Sequence, residues 1–509
     1  MKKLYLLILV LMPITAGAFT GNAEVDGIWY EIVTKGKTAT VIKSQGKEYS
    51  GDIVIPATIE YEGVTCNVVS IANYAFSQCS KITSVIIGDN VTSVGKNVFY
   101  ECDGLTSAII GNNVTSVNEF MFYDCDNLTS VVIGENVTSI EECAFGYCKK
   151  LIEIEIPNSV TSIGSQAFIC CLSLPEITIP QYVKTIGREA FELCSAMTSL
   201  TIVNGVEEID YSSFEGCSAL TSVIIPKSVR EIGDYAFQKC KNLTAVTILS
   251  EELTIRDSAF DECKGLTSVH IANLESWCNT KFHDFKANPL AYAYHLYMND
   301  EEITQLYIPY NLQAINDYAF VNCSSINSLI IADDVPTIGK YSFYGCTGLT
   351  EVTIPNSVTK IDDYAFSHCS KLTTLDIGSG ISSINCCSFG DCSELSDVYC
   401  RSENSFFTRY DAFKNSYVEY ATLHVPASSI GIYQSATPWK DFGTIVKIDD
   451  SNNPIIGDAN GDKEVNVADV DYVIEYIGVA FDETNKTADV NGDGEINVAD
   501  VDYIIERIK

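Results

Sequence analysis

Apolar side chains recur along this chain at a fixed interval. Phe76, Phe99, Phe122, Phe145, Phe168, Phe191, Phe214, Phe237 and Phe260 stand 23 residues apart, and each is followed three positions later by a cysteine, from Cys79 to Cys263. After an interruption the pair resumes at Phe320, Phe343, Phe366 and Phe389, with Cys323, Cys346, Cys369 and Cys392. Within residues 128–150, LTSVVIGENVTSIEECAFGYCKK, the alternation of Leu128, Val131 and Ile133 predicts a short extended segment, and Val137, Ile140, Phe145 and Cys148 follow it inward. One such unit cannot bury its apolar side chains alone, so a period in the twenties predicts a solenoid whose units cover one another. Equivalent residues then lie one above another at about 4.8 Å, the strand spacing of a parallel ladder. Parallel Cβ vectors at that spacing meet disulfide geometry poorly. The 13 ladder cysteines are therefore expected to be buried thiols acting as small apolar fillers.

The apolar spacing L-x-x-L-x-L with a late cysteine is the leucine-rich-repeat pattern. Its wording here resembles the BspA-like family of bacterial surface leucine-rich repeats, over about residues 26–448. The resemblance extends to irregular segments. GDIVIPATIEYEGVTCNVVSIANYAFSQC is similar to that family's N-terminal cap, and residues 422–448 are similar to its C-terminal cap. The step from Leu266 to Ile303 is one period plus 14 residues, an enlarged unit at 266–302. The expected organisation is a signal peptide at 1–18, an N-terminal cap with the first repeat at 19–81, repeats at 82–421, a C-terminal cap at 422–448, a linker at 449–456 and a tail domain at 457–509. The Asn-Val-Thr triplets at Asn90, Asn113 and Asn136 match a glycosylation acceptor, but they recur because the turn recurs.

Composition narrows the function. A formal charge of −35 disfavours nucleic acid and anionic lipid as partners. Lys2 and Lys3, the apolar run LYLLILVLM and the small residues ending at Ala18 read as a secretory signal. No other stretch approaches the roughly 20 apolar residues of a transmembrane helix, so a protein that is secreted, or secreted and held at a cell surface, is the expectation. With no H-E-x-x-H, G-x-S-x-G or phosphate-cradling loop and only five histidines, catalysis is not expected. Glu153 and Glu155 are a carboxylate pair of the kind glycosidases use, but a regular surface ladder supplies no enclosure to raise one pKa.

The third and fifth positions of each strand should face outward, where solenoids often bind partners. They are mostly Ser, Thr, Ile and Val, interrupted by Glu153, Glu155, Glu176, His270, Tyr307, Glu351, Asp376, Asp397 and Tyr399. His270 and Tyr307 flank the enlarged unit, and with Trp277 and Tyr297 they form the candidate recognition patch for an extracellular protein or glycan.

Two near-copies of one acidic loop follow, DANGDKEVNVAD and DVNGDGEINVAD, 31 residues apart. In a twelve-residue Ca²⁺ loop the oxygens come from positions 1, 3, 5, 7, 9 and 12. Those positions are Asp458, Asn460, Asp462, Glu464, Asn466 and Asp469 in the first loop, and Asp489, Asn491, Asp493, Glu495, Asn497 and Asp500 in the second. Two bound Ca²⁺ ions are expected. Each loop runs into one short helix, with Val470, Ile474 and Ile477, then Val501, Ile505 and Ile508, spaced to share a face. The duplicated loop and helix resembles a type I dockerin. That resemblance implies a small all-α calcium-binding domain and a cohesin-bearing partner. It also implies that loop positions 10 and 11, here Val467, Ala468, Val498 and Ala499, contact the cohesin. Those positions are often hydroxyl residues in the best-known dockerins, and Lys463 replaces the usual glycine at position 6 of the first loop, so this tail departs from the family pattern twice. The expected fold is thus a leucine-rich-repeat solenoid followed by a dockerin-like domain. The expected function is non-catalytic adhesion or binding; the alternative is a glycan-binding or spacing subunit of an extracellular polysaccharide-degrading complex.

Overall fold

The computed structural model describes residues 19–448, 467–477 and 488. The expected signal peptide, the linker and most of the calcium-binding tail lie outside the described residues. Among the described residues no helix is long and apolar enough to cross a membrane.

Residues 128–150 show how one repeat folds. The strand Ser130–Val132 pairs in parallel with Ser107–Ile110 on one side and Glu153–Ile154 on the other. A turn leads to the two-residue strand Ser139–Ile140, parallel to Ser116–Val117 and Ser162–Ile163. The third side is a run of turns, stitched by Phe145 N donating to Ala167 O and Phe122 N donating to Ala144 O, both at 2.8 Å. Every partner is about one period away, so the 23-residue spacing is the register of the ladder itself. Val131 and Ile133 are buried while Val132 is exposed, as strand alternation requires.

The turn side carries a backbone cost. Cys143 and Tyr147, two residues before and two after Phe145, are left-handed, with φ of 53° and 60°. A non-glycine residue there costs roughly 1–2 kcal/mol. Backbone bonds to the next unit offset it, from Cys143 N to Ser165 O at 3.0 Å and from Tyr147 N to Ile169 O at 2.7 Å. The same slots are left-handed in most other units, and Gly216 and Gly345 occupy the later one with φ of 72° and 71°, where glycine adopts the conformation freely.

Two compact units divide the chain, residues 1–243 with 258–265 and residues 244–257 with 266–509. The first begins with antiparallel strands Thr20–Val25, Ile28–Val33 and Thr38–Val41, then stacks the parallel series Ser50–Ile55, Lys81–Ile87, Ser107–Ile110, Ser130–Val132 and Glu153–Ile154. Its core is a column of phenylalanines, with Phe168 and Phe191 stacked at 5.0 Å between centroids and Phe214 and Phe237 at 5.3 Å. The second unit holds the enlarged repeat, with short helices Leu274–Asn279 and Leu290–Ala293, and a parallel series from Glu351–Ile354 through Thr374–Ile377, Asp397–Cys400 and Thr422–Val425 to Thr444–Lys447. Its phenylalanine column reaches one step past the expected last member: Phe413, 24 residues beyond Phe389, stacks on it at 5.5 Å. Trp439 and Phe442 then meet Phe413 edge-on at 5.4 Å each and close the column.

Candidate functional site

Strand alternation in the first unit turns a row of apolar side chains outward. Val54 is in register with Ile86, Ile86 with Ile109, and Ile109 with Val132. The four are 56%, 40%, 43% and 59% exposed. Four consecutive strands thus present branched aliphatic side chains in one line, on a backbone held rigid by the ladder. Glu153, on the strand Glu153–Ile154 beside this stripe, and Glu155, just past its end, are both exposed.

In the second unit, parallel pairing places His270 opposite Tyr297, and their rings stack at 4.9 Å with 17° between planes. Tyr307 lies on Gln305–Ile308, half-buried, its ring 6.2 Å from that of Tyr310. Trp277 is a correction to the expected patch. It is 2% exposed, its indole N–H donates to Ala319 O at 2.9 Å, and Phe282 packs edge-on to it at 5.2 Å. An indole on the buried side of Leu274–Asn279 anchors the enlarged unit to the column and offers nothing to a ligand.

A second ring pair stands further along the same series, unforeseen in the sequence. Register aligns Asp376 with Tyr399 and Tyr399 with His424. Tyr399 stacks on His424 at 4.2 Å, and His424 Nε2 lies 3.1 Å from Asp397 Oδ1. Arg401 clamps Asp376 through two donors, Nε to Oδ1 at 2.8 Å and a terminal nitrogen to Oδ2 at 2.7 Å. Extending the outward positions one strand further, to His424, would have found this pair in the sequence.

On the turn side of the second unit lies an open cleft of about 670 Å³, lined by Phe285 and Tyr294 of the enlarged repeat with Asn322, Tyr344, His368 and Asp391. Phe285 meets Tyr344 edge-on at 5.7 Å, and Tyr344 lies 4.7 Å from the His368 ring. His368 Nδ1 is 3.8 Å from Asp391 Oδ2.

The cysteine ladder is more than filler. Cys148 Sγ donates to Phe122 O at 3.1 Å, and the same 26-residue step recurs from Cys102 to Phe76 at 3.1 Å and from Cys369 to Phe343 at 3.3 Å. Each such carbonyl also takes the amide of its own unit's cysteine, as Phe122 O takes Cys125 N at 3.3 Å. The acceptor-triplet asparagines are likewise engaged: Asn136 Nδ2 donates to Asn112 O at 2.9 Å and Asn90 Nδ2 to Ala57 O at 3.1 Å.

Of the twelve expected calcium ligands, Asp469 alone falls among the described residues; it is buried in the first turn of the helix Val467–Tyr476. The other eleven, with Val498 and Ala499, lie outside them. Val467 and Ala468 open that helix. The helix buries Val473 and leaves Ile474 and Ile477 51% and 39% exposed. The buried line therefore runs through Asp469 and Val473, one turn apart. The donor set itself, all hard oxygens with six per loop, fits Ca²⁺.

Residues 61–173, 161–288 and 293–424 match the BspA type Leucine rich repeat region, in six copies. Residues 456–509 match the Dockerin type I domain. Among solved structures, a leucine-rich repeat protein from Bacteroides ovatus is 22% identical over 79% of this chain and 99% of its own, with a TM-score of 0.48. A leucine rich cell surface protein from Faecalibacterium prausnitzii is 24% identical over 74% of this chain and 94% of its own, with a TM-score of 0.34. The leucine rich repeat protein of T. pallidum is 25% identical over 38% of this chain and 86% of its own, with a TM-score of 0.34. No curated protein sequence matches.

Proposed function

Because the chain belongs to the BspA-type leucine-rich repeat family and carries a dockerin type I domain over residues 456–509, we propose that it is a secreted, non-catalytic adhesion protein. Its solenoid face recognises an extracellular protein, and its Ca²⁺-loaded tail tethers it to a cohesin-bearing partner. The observation that carries the protein-ligand reading is the stripe of Val54, Ile86, Ile109 and Val132, each 40–59% exposed. Aliphatic side chains left in water across four paired strands gain by desolvation against another apolar surface. The ladder fixes them before binding, so little ordering cost is added.

In the tail, Asp458, Asn460, Asp462, Glu464, Asn466 and Asp469 would hold one ion and Asp489, Asn491, Asp493, Glu495, Asn497 and Asp500 a second. Bound Ca²⁺ neutralises carboxylates that otherwise repel. Residues 451–509 carry 14 acidic and 4 basic side chains, so the domain is expected to fold as the ions bind. Val467, Ala468, Val498 and Ala499 would then face the cohesin, and their apolar character selects a partner other than one that reads hydroxyls there.

The test of the face is a pair of substitutions that charge the stripe, Ile109→Asp with Val132→Asp. Both side chains lie on the exposed face of the ladder, so the fold is expected to survive, which circular dichroism checks. Capture from a panel of immobilised extracellular-matrix proteins should fall at least tenfold, about 1.4 kcal/mol. Unchanged capture would remove the stripe from the interface. The aromatic cleft at Phe285, Tyr294 and Tyr344 favours a second reading, a glycan ligand, since aromatic faces with neighbouring amide and carboxylate groups suit sugar rings. Binding on a sugar array that Tyr344→Ala abolishes would support that reading, and with it a non-catalytic role in a polysaccharide-degrading assembly.

A further inference from the structure

In the second unit tyrosines precede the ladder phenylalanines Phe320, Phe343 and Phe366 by two positions: Tyr318 stacks on Tyr341 at 5.4 Å, and Tyr341 on Tyr364 at 4.7 Å. The next two occupants of that slot are Cys387 and Asp411. Where the column stops, Cys386 and Cys387 bring their sulfurs to 3.6 Å, and Cys386 Sγ lies 3.4 Å from Asp411 Oδ2. The ligand atoms of all three residues fall within 4.8 Å of one another.

These separations have a chemical meaning. Two thiolates bound tetrahedrally to one ion at about 2.3 Å lie roughly 3.7 Å apart, and a thiolate and a carboxylate oxygen on that ion lie roughly 3.5 Å apart. The observed 3.6 Å and 3.4 Å are close to those edges. A disulfide, in contrast, needs sulfurs at about 2.05 Å.

The surroundings hold this arrangement. Cys386 N donates to Asp363 Oδ1 at 3.0 Å, and Tyr364 N to Cys386 O at 2.8 Å. Arg409 Nε engages Asp411 through Oδ1 at 3.4 Å, so the oxygen turned to the sulfur is the other one, Oδ2. The Tyr364 hydroxyl, 4.0 Å from Cys386 Sγ, stands beside the fourth position. Cys387 is buried, whereas Cys386 and Asp411 are half-buried, which leaves a path from solvent. Among the described residues no ladder cysteine has this company: Cys102, Cys148 and Cys369 donate to phenylalanine carbonyls, Cys79 faces Ser77 O and Cys323 faces the Ser325 hydroxyl.

We propose that Cys386, Cys387 and Asp411 form a binding site for one thiophilic divalent cation of the Zn²⁺ class, with water or the Tyr364 hydroxyl completing a tetrahedron. Binding displaces the two thiol protons to solvent and leaves no net redox change. The site is independent of the calcium loops, whose donors are all oxygen.

The test uses the full-length reduced protein, freed of metal with a chelator and kept in excess Ca²⁺ so that the loops do not compete. Cd²⁺ is titrated while the ultraviolet thiolate-to-metal charge-transfer band is followed, and Zn²⁺ is then added as competitor. One Cd²⁺ per chain with a thiolate band that Zn²⁺ erases is expected. The band should vanish in Cys386→Ser with Cys387→Ser, and Asp411→Asn should weaken binding at least tenfold. Alkylation of Cys386 by iodoacetamide, located by mass spectrometry, should be slowed at least tenfold by Zn²⁺, a readout that needs no variant to fold. No band, a band that survives the double substitution, or Cys386 labelling indifferent to Zn²⁺ would overturn the proposal.

Discussion

Ser416 stands where the column's next cysteine would fall, three positions after Phe413, and its hydroxyl donates to Phe389 O at 2.5 Å. A serine that performs the thiol's bond marks the slot as a donor position and not merely a small apolar one. The sequence made the slot legible but not its hydrogen bond, because the acceptor is a backbone carbonyl of the preceding unit, which no side-chain pattern encodes. Burial raises these thiols: Cys102, Cys217, Cys323 and Cys392 are each pushed up to about 12 from 9.0. Below about pH 8.5 both folded and unfolded chains keep the protons, so the contribution to stability is complete. Above that, the unfolded chain ionises while the folded one does not, and stability falls by up to about 1.4 kcal/mol per pH unit for each such thiol. Urea unfolding midpoints are therefore expected to stay level between pH 7 and 8 and to drop steeply above pH 9. A level midpoint through pH 10.5 would refute the burial of the ladder thiols.

At the scale of the element, the strand periodicity predicted which side chains point inward, and Val131 and Val132 obey it. The turn side was not legible. Its backbone geometry rests on left-handed residues as different as Tyr74, Asn97, Phe120, Cys143 and Gln166, so no residue type announces it. Trp277 failed as a ligand residue for a related reason: sequence places it in an irregular insertion, and only the helix Leu274–Asn279 turns it inward. Phe214 is stacked on both sides, at 5.3 Å from Phe191 and from Phe237. Phe214→Ala is expected to cost about 3–5 kcal/mol, and because each repeat touches only its neighbours, the loss should be local. Hydrogen exchange should quicken over residues 180–240 while residues 350–400 keep their protection. Uniform loss along the chain would contradict nearest-neighbour coupling.

At the scale of the whole molecule, the proposed function divides recognition and tethering between separate parts of the chain. The solenoid displays a stripe and a cleft, and the sequence of the tail spaces its carboxylates as two calcium loops would need them. The dockerin match of the tail was legible in sequence because a calcium loop demands oxygens at set positions, whereas a recognition surface needs only exposure and shape, which no spacing announces. Residues 451–509 carry −10 of the total −35, charge that two divalent ions would partly cancel. The most direct test is a calorimetric Ca²⁺ titration of the full-length chain against a variant carrying Asp458→Ala and Asp489→Ala. Two ions bound per chain, with binding lost in the variant, is the predicted result. Absence of Ca²⁺ binding, or binding the double variant retains, would contradict the docking function assigned to the tail.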